Sequence, residues 1–252
     1  MLDPFLSQIV TETRMLALSY WEKGYKVETK ADRTLVTEAD QAIEARFRQR
    51  LAETYPQDGV YGEEQGQDRL EAKRVWVIDP IDGTQAFVLG IPVFSTLLAL
   101  VEAGQVTQAV VDFPALGQTY TAVKGQGAWL GSQRLQVRAT PLEAACLTAT
   151  SVTMFDDEGP GFMGLVARVG SVRFGLDAYG FALLARGRLQ IAVEACLKPF
   201  DYLAPSLIVT EAGGTMTDWD GQPLNLNSDG HVIAAADALL NGQVRDILSS
   251  QI

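Results

Sequence analysis

The chain is poor in the residues that carry most enzymatic acid–base and nucleophilic chemistry. Among 252 residues there is one histidine, His231, and there are two cysteines, Cys146 and Cys196. That excludes a multi-histidine metal site, and any Ser-His-Asp or Cys-His arrangement built on another histidine. The cysteines are far apart and lack a CxxC spacing, so they read as two reduced, mostly buried thiols. Basic residues are scarce too: 20 Lys and Arg stand against 31 Asp and Glu, a net charge of −11. Such a surface repels nucleic acid and anionic membranes. No window holds the roughly 18 consecutive apolar residues of a membrane helix. Met1-Leu2-Asp3-Pro4 leads into an amphipathic helix rather than a secretory signal. A cytoplasmic protein is expected, and any hard-metal site in it must be made of oxygen ligands.

What is present is a substantial core. Hydrophobic residues make up 47% and charged residues 20%, enough for one large domain or two lobes. Residues 75–84, Val-Trp-Val-Ile-Asp-Pro-Ile-Asp-Gly-Thr, form the most informative stretch. The apolar run 75–78 reads as a buried strand. Pro80 cannot continue a ladder, so the strand is expected to stop there. Asp79 and Asp82 then lie three residues apart around a bend. Gly83 allows close backbone approach, and a short helix from Thr84 would offer N–H groups to a phosphate. An Asp-Gly turn closed on its own backbone remains the plain alternative.

The flanking sequence alternates helices and strands. Helices are expected over residues 4–22, from Thr37 to about Leu51, and over 160–169, 177–186, 202–212 and 238–249. Strands are expected over 95–102, 106–113 and 118–123, joined by short turns as antiparallel hairpins. Further short strands fall at 144–151, 172–174, 189–193 and 232–236. Residues 25–36, with Lys26, Lys30 and Asp32, read as polar and turn-rich, residues 67–74 as a surface loop, and 124–131 as a turn. The change of texture near residue 137 divides the chain into an N-terminal α+β metal-binding lobe, 1–136, and a C-terminal α/β lobe, 137–252, within one compact unit.

Other carboxylates accompany Asp79 and Asp82. Glu63, in Gly62-Glu63-Glu64, follows Val60-Tyr61; it reads as a strand-end carboxylate that could meet Asp79, or as part of a solvated acidic turn. Asp40 closes a capping box with Thr37. Asp201 precedes a helix and reads equally as its N-cap. Glu194 reads as a strand-end charge, and Asp177 as a cap for the helix that starts at Ala178.

The segments Leu35-Val36-Thr37-Glu38-Ala39-Asp40, Gly62-Glu63-Glu64, Trp76 to Thr84 and Phe200-Asp201 to Gly214 resemble, in order, the four signatures of the inositol monophosphatase superfamily. Phe200 stands where the family usually has Trp, and it keeps an aromatic ring. Tyr61-Gly62-Glu63-Glu64, the stretch from Asp177 to Leu184 and that from Leu197 to Ala204 look most like the histidinol-phosphatase branch. The resemblance implies a layered αβαβα sandwich, with an antiparallel N-terminal sheet and a smaller mixed C-terminal sheet. It implies a homodimer and two to three Mg²⁺ ions. Glu63, Asp79 and the Ile81 carbonyl would hold one ion; Asp79, Asp82 and Asp201 a second; a third would lie near Glu63. Gly83 and Thr84 would seat the phosphate of a small monoester. Thr84 and Asp40 would orient and deprotonate the attacking water. Asp177 and Glu194 fall on the leaving-group side, where two carboxylates suit the cationic part of histidinol phosphate. Sugar hydroxyls, as in inositol 1-phosphate, would suit them too. A bisphosphate would need a basic cluster, and only Lys26, Lys30, Arg173 and Lys198 are scattered near. A fold-keeping regulatory protein would have lost carboxylates or gained a basic face. The loop 153–161 is expected to bear on substrate choice, and Lys198 reads equally as a contact to substrate or to a neighbouring subunit.

Overall fold

The computed structural model describes residues 1–29, 35–155 and 159–249. Lys30, Asp32 and the middle of the 153–161 loop lie outside the described residues.

Five layers stack as αβαβα. The first holds helices α1 (Pro4–Lys23) and α2 (Glu38–Thr54). Asp3 caps α1 by accepting from the Phe5 N–H, and Pro4 opens the first turn. Strands β1 (Val27–Thr29) and β2 (Leu35–Thr37) pair antiparallel just before α2. The second layer is an eight-stranded sheet. Its strands are β3 (Gly59–Gly62), β4 (Gly66–Asp68), β5 (Arg74–Asp82), β6 (Ser95–Glu102), β7 (Gln105–Phe113), β8 (Gln118–Val123), β9 (Ala128–Leu130) and β10 (Gln133–Arg134), in the order β10-β9-β8-β7-β6-β5-β3-β4. A six-residue helix, α3 (Thr84–Leu89), leaves the end of β5.

The fourth layer contains β11 (Cys146–Ala149), β12 (Ser171–Phe174), β13 (Ile191–Glu194), β14 (Thr215–Thr217) and β15 (Val232–Ala235), ordered β12-β11-β13-β15-β14 with mixed pairing. Helices α4 (Gly159–Val166) and α7 (Ala238–Ser249) cover its outer face. Helices α5 (Ala178–Ala185) and α6 (Pro199–Glu211) form the third layer, between the two sheets.

Side-chain alternation explains the stacking. Trp76 and Ile78 of β5 pack with Phe5, Ile9 and Phe47 of the first layer. Val75 and Val77 point to the other face and pack with Leu203 and Ile208 of α6. A strand covered on both faces needs apolar residues at every position, so the run has no polar break. The second sheet repeats this: Ala192 and Val232 face α5 and α6, while Ile191, Val193 and Ile233 face α4 and α7.

Several details differ from the sequence expectation. The first sheet is not wholly antiparallel, because β3 and β5 run parallel, with Gly62 opposite Ile78. The chain turns back from β3 into the edge strand β4, then crosses to the far side of β3, so β5 must start from the same end as β3. Nor does β5 stop at Pro80. It continues to Asp82 through a register shift between Asp79 and Asp82. The irregularity lets Pro80 sit where no ladder N–H is required, and its carbonyl accepts from Thr96 Oγ1 at 2.8 Å. Residues 124–131 are not all turn: Ala128 to Leu130 form β9 and pair with β8. β14 had no counterpart in the sequence reading, since three residues are too few to show a period.

Candidate active site

The parallel pairing of β3 with β5 ends two strands side by side. The Glu63 N–H donates to the Ile78 carbonyl at 3.3 Å, so Glu63, just past the end of β3, lies beside Asp79 where β5 becomes irregular. Ligand sites of α/β sheets fall at such carboxyl ends. The irregularity after Asp79 brings Asp82 to the same edge. Asp82 Oδ2 accepts from Ser95 Oγ at 3.1 Å and from the Ala178 N–H at 3.0 Å, which ties the first sheet to the start of α5.

Gly83 has φ +75°, and a Cβ there would meet Asp177 Oδ2 at 2.9 Å. Both facts require glycine. Gly83→Ala is therefore expected to destabilise the protein by about 1–3 kcal/mol through the left-handed backbone alone, and to displace Asp177. A lowered urea midpoint together with lost phosphatase activity is the expected result.

Asp201 lies in the third position of α6, not at its N-cap, and its Oδ2 accepts from the Lys198 N–H at 2.6 Å. Asp40 is the third residue of α2 and does close the capping box. Its Oδ2 accepts from the Thr37 N–H at 2.8 Å and from Thr37 Oγ1 at 2.6 Å. Asp177 stands at the start of α5 with φ +48°, and its side chain caps nothing.

Two carboxylate groups result. Asp79, Asp82 and Asp201 each bring an oxygen within 4.8 Å of the others, and so do Asp40, Glu63 and Glu64. Oδ1 of Asp79 and Oδ1 of Asp40 are buried without a hydrogen-bond partner among the described residues. Burial pushes the Asp79 carboxyl well above the carboxylate range, and the charges of Glu63, Asp82, Asp201 and Asp40 push the same way. Asp82 is raised by burial and by Asp177 and Asp201. Burial raises Asp201 to about 7 against the bond from Lys198. It raises Asp40 to about 6 against the bonds from Thr37. Buried acids packed this closely are costly, and bound divalent cations would offset that cost. The oxygen-only donor set and the unpartnered oxygens fit a hard metal.

The groups open into a pocket of about 700 Å³, walled among others by Glu63, Asp79, Asp82, Thr84, Asp177 and Asp201. Ile81, Gly83 and Phe200 also line it, and Phe200 stacks edge-on against Tyr61 at 5.8 Å between ring centres. Lys198 is the only basic side chain in the wall among the described residues. Asp40 and Glu194 stand behind the wall. Glu194 is 2% exposed and takes the Thr150 N–H on both oxygens, at 3.0 and 3.1 Å. Burial raises its carboxyl to about 8, with the Thr150 bonds opposing. It is thus no surface charge. The Thr84 hydroxyl donates to the Ile81 carbonyl at 3.0 Å. Cys196 is exposed on the pocket rim with φ +61°, not buried as expected, because the loop after β13 turns it outward.

Three residues were not assigned from sequence. Glu64 joins the second carboxylate group, although its neighbour alone drew attention. Thr150 carries no motif. Glu44, on α2, has only an Arg four residues on as a signal, which reads as an ordinary exposed helix pair.

The inositol monophosphatase family model matches residues 2–249. The chain is 40% identical over 210 residues to a histidinol-phosphatase of Streptomyces coelicolor, covering 79% of each chain. It is 34% identical over 231 residues to a histidinol-phosphatase of Chlorobaculum parvum, covering 90% of this chain and 89% of that one. A solved inositol monophosphatase from Zymomonas mobilis superposes with a TM-score of 0.89 at 33% identity, covering 97% of this chain and 96% of that chain. Fold, site and kinship together define a phosphoric monoester hydrolase. The chain belongs to the inositol monophosphatase family.

Proposed function

We propose that the protein is a Mg²⁺-dependent phosphatase of a small monoester with a cationic leaving group, histidinol phosphate in the first place. The carrying observation is Asp177. Its carboxylate lines the pocket against Gly83, beside the proposed phosphate seat, and spends no bond on capping α5. The identities of 34% and 40% to histidinol-phosphatases support the same substrate class. With Lys198 as the single basic residue in the described wall, a second phosphate has little to hold it.

Glu63, Asp79 and the Ile81 carbonyl would hold one ion, and Asp79, Asp82 and Asp201 another. A third would lie by Glu63 and Glu64. Bound Mg²⁺ lowers the pKa of water and offsets the negative charge of the ester. The Gly83 and Thr84 N–H groups seat the phosphate. The Thr84 hydroxyl orients the attacking water, and Asp40 receives its proton. Asp177 attracts the cationic part of the leaving group, and Glu194 holds Thr150 of the same wall in place.

The test is kcat/KM on L-histidinol phosphate and on inositol 1-phosphate, with and without Mg²⁺. One charge-assisted contact is worth about 1.5–3 kcal/mol, so a preference of about ten- to hundredfold for L-histidinol phosphate is expected. Asp177→Asn should erase it while leaving turnover of inositol 1-phosphate nearly unchanged. A preference of the wild type for inositol 1-phosphate would overturn the substrate assignment.

A further inference from the structure

Glu44 lies one helical turn beyond Asp40 on α2 and is fully buried. Its Oε2 accepts from the Glu64 N–H at 2.7 Å. Its Oε1 accepts from the Gln65 N–H at 3.0 Å and from Arg48 Nε at 2.8 Å. Arg48 Nη2 in turn donates to the Gly66 carbonyl at 2.5 Å. A Cβ on Gly62 would stand 2.1 Å from Glu44 Oε1. The whole turn from Gly62 to Gly66 is therefore wrapped around one ion pair supplied by α2.

A turn between two short strands does not need this. The ladder already closes it, with Gly62 opposite Gly66, and burying a charged pair carries a desolvation cost. What does need a tether is the load on the turn. Glu63 and Glu64 bring oxygens within 4.8 Å of Asp40, and like charges so close repel one another. Glu44 and Asp40 project from the same helix, one turn apart, so the bonds from Glu44 to the turn fix the distance between Asp40 and the two glutamates. Arg48 neutralises Glu44, so that the tether adds no net repulsion.

We infer that Glu44, braced by Arg48, is a positioning residue that holds Glu63 and Glu64 at cation-binding distance from Asp40. This rests on reading the carboxylate groups as a Mg²⁺ site. The experiment is calorimetric titration of Mg²⁺ into the substrate-free protein, beside Tm and the Mg²⁺ dependence of the rate. Glu44→Gln turns one acceptor into a donor facing an N–H. Residues that orient metal ligands typically change affinity by about ten- to hundredfold when altered, and a rise of that order in the Mg²⁺ Kd is expected. Saturating Mg²⁺ should restore most of kcat with KM for the ester unchanged. Glu44→Asp, which keeps the charge, should recover part of the affinity. Phe47→Leu, in the core of the same helix, should lower Tm and leave the Mg²⁺ Kd as it is. Should Glu44→Gln not fold, Arg48→Gln carries the same readout. Wild-type Mg²⁺ affinity in the Glu44 variant, or an equal loss in Phe47→Leu, overturns the positioning role alone. Absence of Mg²⁺ uptake by the wild type overturns the metal-site reading and this inference with it.

Discussion

Replacing Asp79 by Asn is expected to lower kcat/KM by about a thousandfold or more, because a shared metal ligand supplies several kcal/mol of charge stabilisation. The same substitution is expected to raise the melting temperature of the metal-free protein. Both effects have one cause. Asp79 is buried, Glu63, Asp82, Asp201 and Asp40 all oppose its charge, and one of its oxygens has no hydrogen-bond partner among the described residues. Without cations that charge is unfavourable; on the proposed reading Asp79 would be a ligand to both ions, which would make its charge favourable. Asparagine keeps the shape, removes the charge and offers an N–H₂ to the neighbouring carboxylates. At this chain size each kcal/mol relieved raises Tm by about 2–4 °C. Phosphate-release kinetics and scanning calorimetry in EDTA check the two halves. Near wild-type activity would sink the proposed mechanism, and a lower Tm would show that the buried charge is not a burden on the fold.

The second large effect is on stability against pH. Glu194 is raised to about 8, Asp201 to about 7 and Asp40 to about 6 in the folded, metal-free chain. Unfolded carboxyls lose their protons near pH 4. Between pH 4 and 8 the folded state therefore binds more protons than the unfolded state, and stability falls as pH rises. From pH 6 to pH 8 each such group costs up to about 1.4 kcal/mol per pH unit, about 4 kcal/mol for the three together, so Tm in EDTA should drop by about 8–16 °C. Mg²⁺ should lessen the slope, because cations held by Asp201 and its neighbours favour the ionised form while Glu194, bonded to Thr150, still titrates: its stabilising shift should be larger at pH 8 than at pH 6. Calorimetry at both pH values, with EDTA and with Mg²⁺, gives the four numbers required. A flat Tm in EDTA would show that the carboxylates are better solvated than their burial implies.

Much of this was legible in residues 75–84. An unbroken apolar run ending in Asp-Pro-Ile-Asp-Gly marks a doubly covered strand whose end carries acids, and the structure has both. Glu63 could be placed near Asp79 because a glycine and a short apolar pair mark a strand end before it. The parallel pairing that joins them was not readable, since pairing depends on how the chain crosses β3 and leaves no local signal. Pro80 misled in one respect: a proline forbids a ladder N–H but not an irregular continuation. Asp40 was rightly read as a cap and also stands in a carboxylate group, because a capping box uses one oxygen and leaves the other. Glu44 was invisible because an acid and a base four apart on a helix look the same whether water or a turn receives them. The exposure of Cys196 follows from a loop conformation that composition does not encode.

The bond from the Ala178 N–H to Asp82 spans 96 positions of sequence. It makes the site a late product of folding rather than a property of either sheet. Loop-closure entropy must be overcome before such distant groups meet. A chain emerging from the ribosome can complete all of the first sheet and still lack Asp201 and the support of α5 beneath Asp82. During that interval its acids repel one another without a complete cradle for a cation. Recovery of catalysis in a refolding experiment is thus a report on the last docking event, and the recovery of helix and sheet signals should precede it.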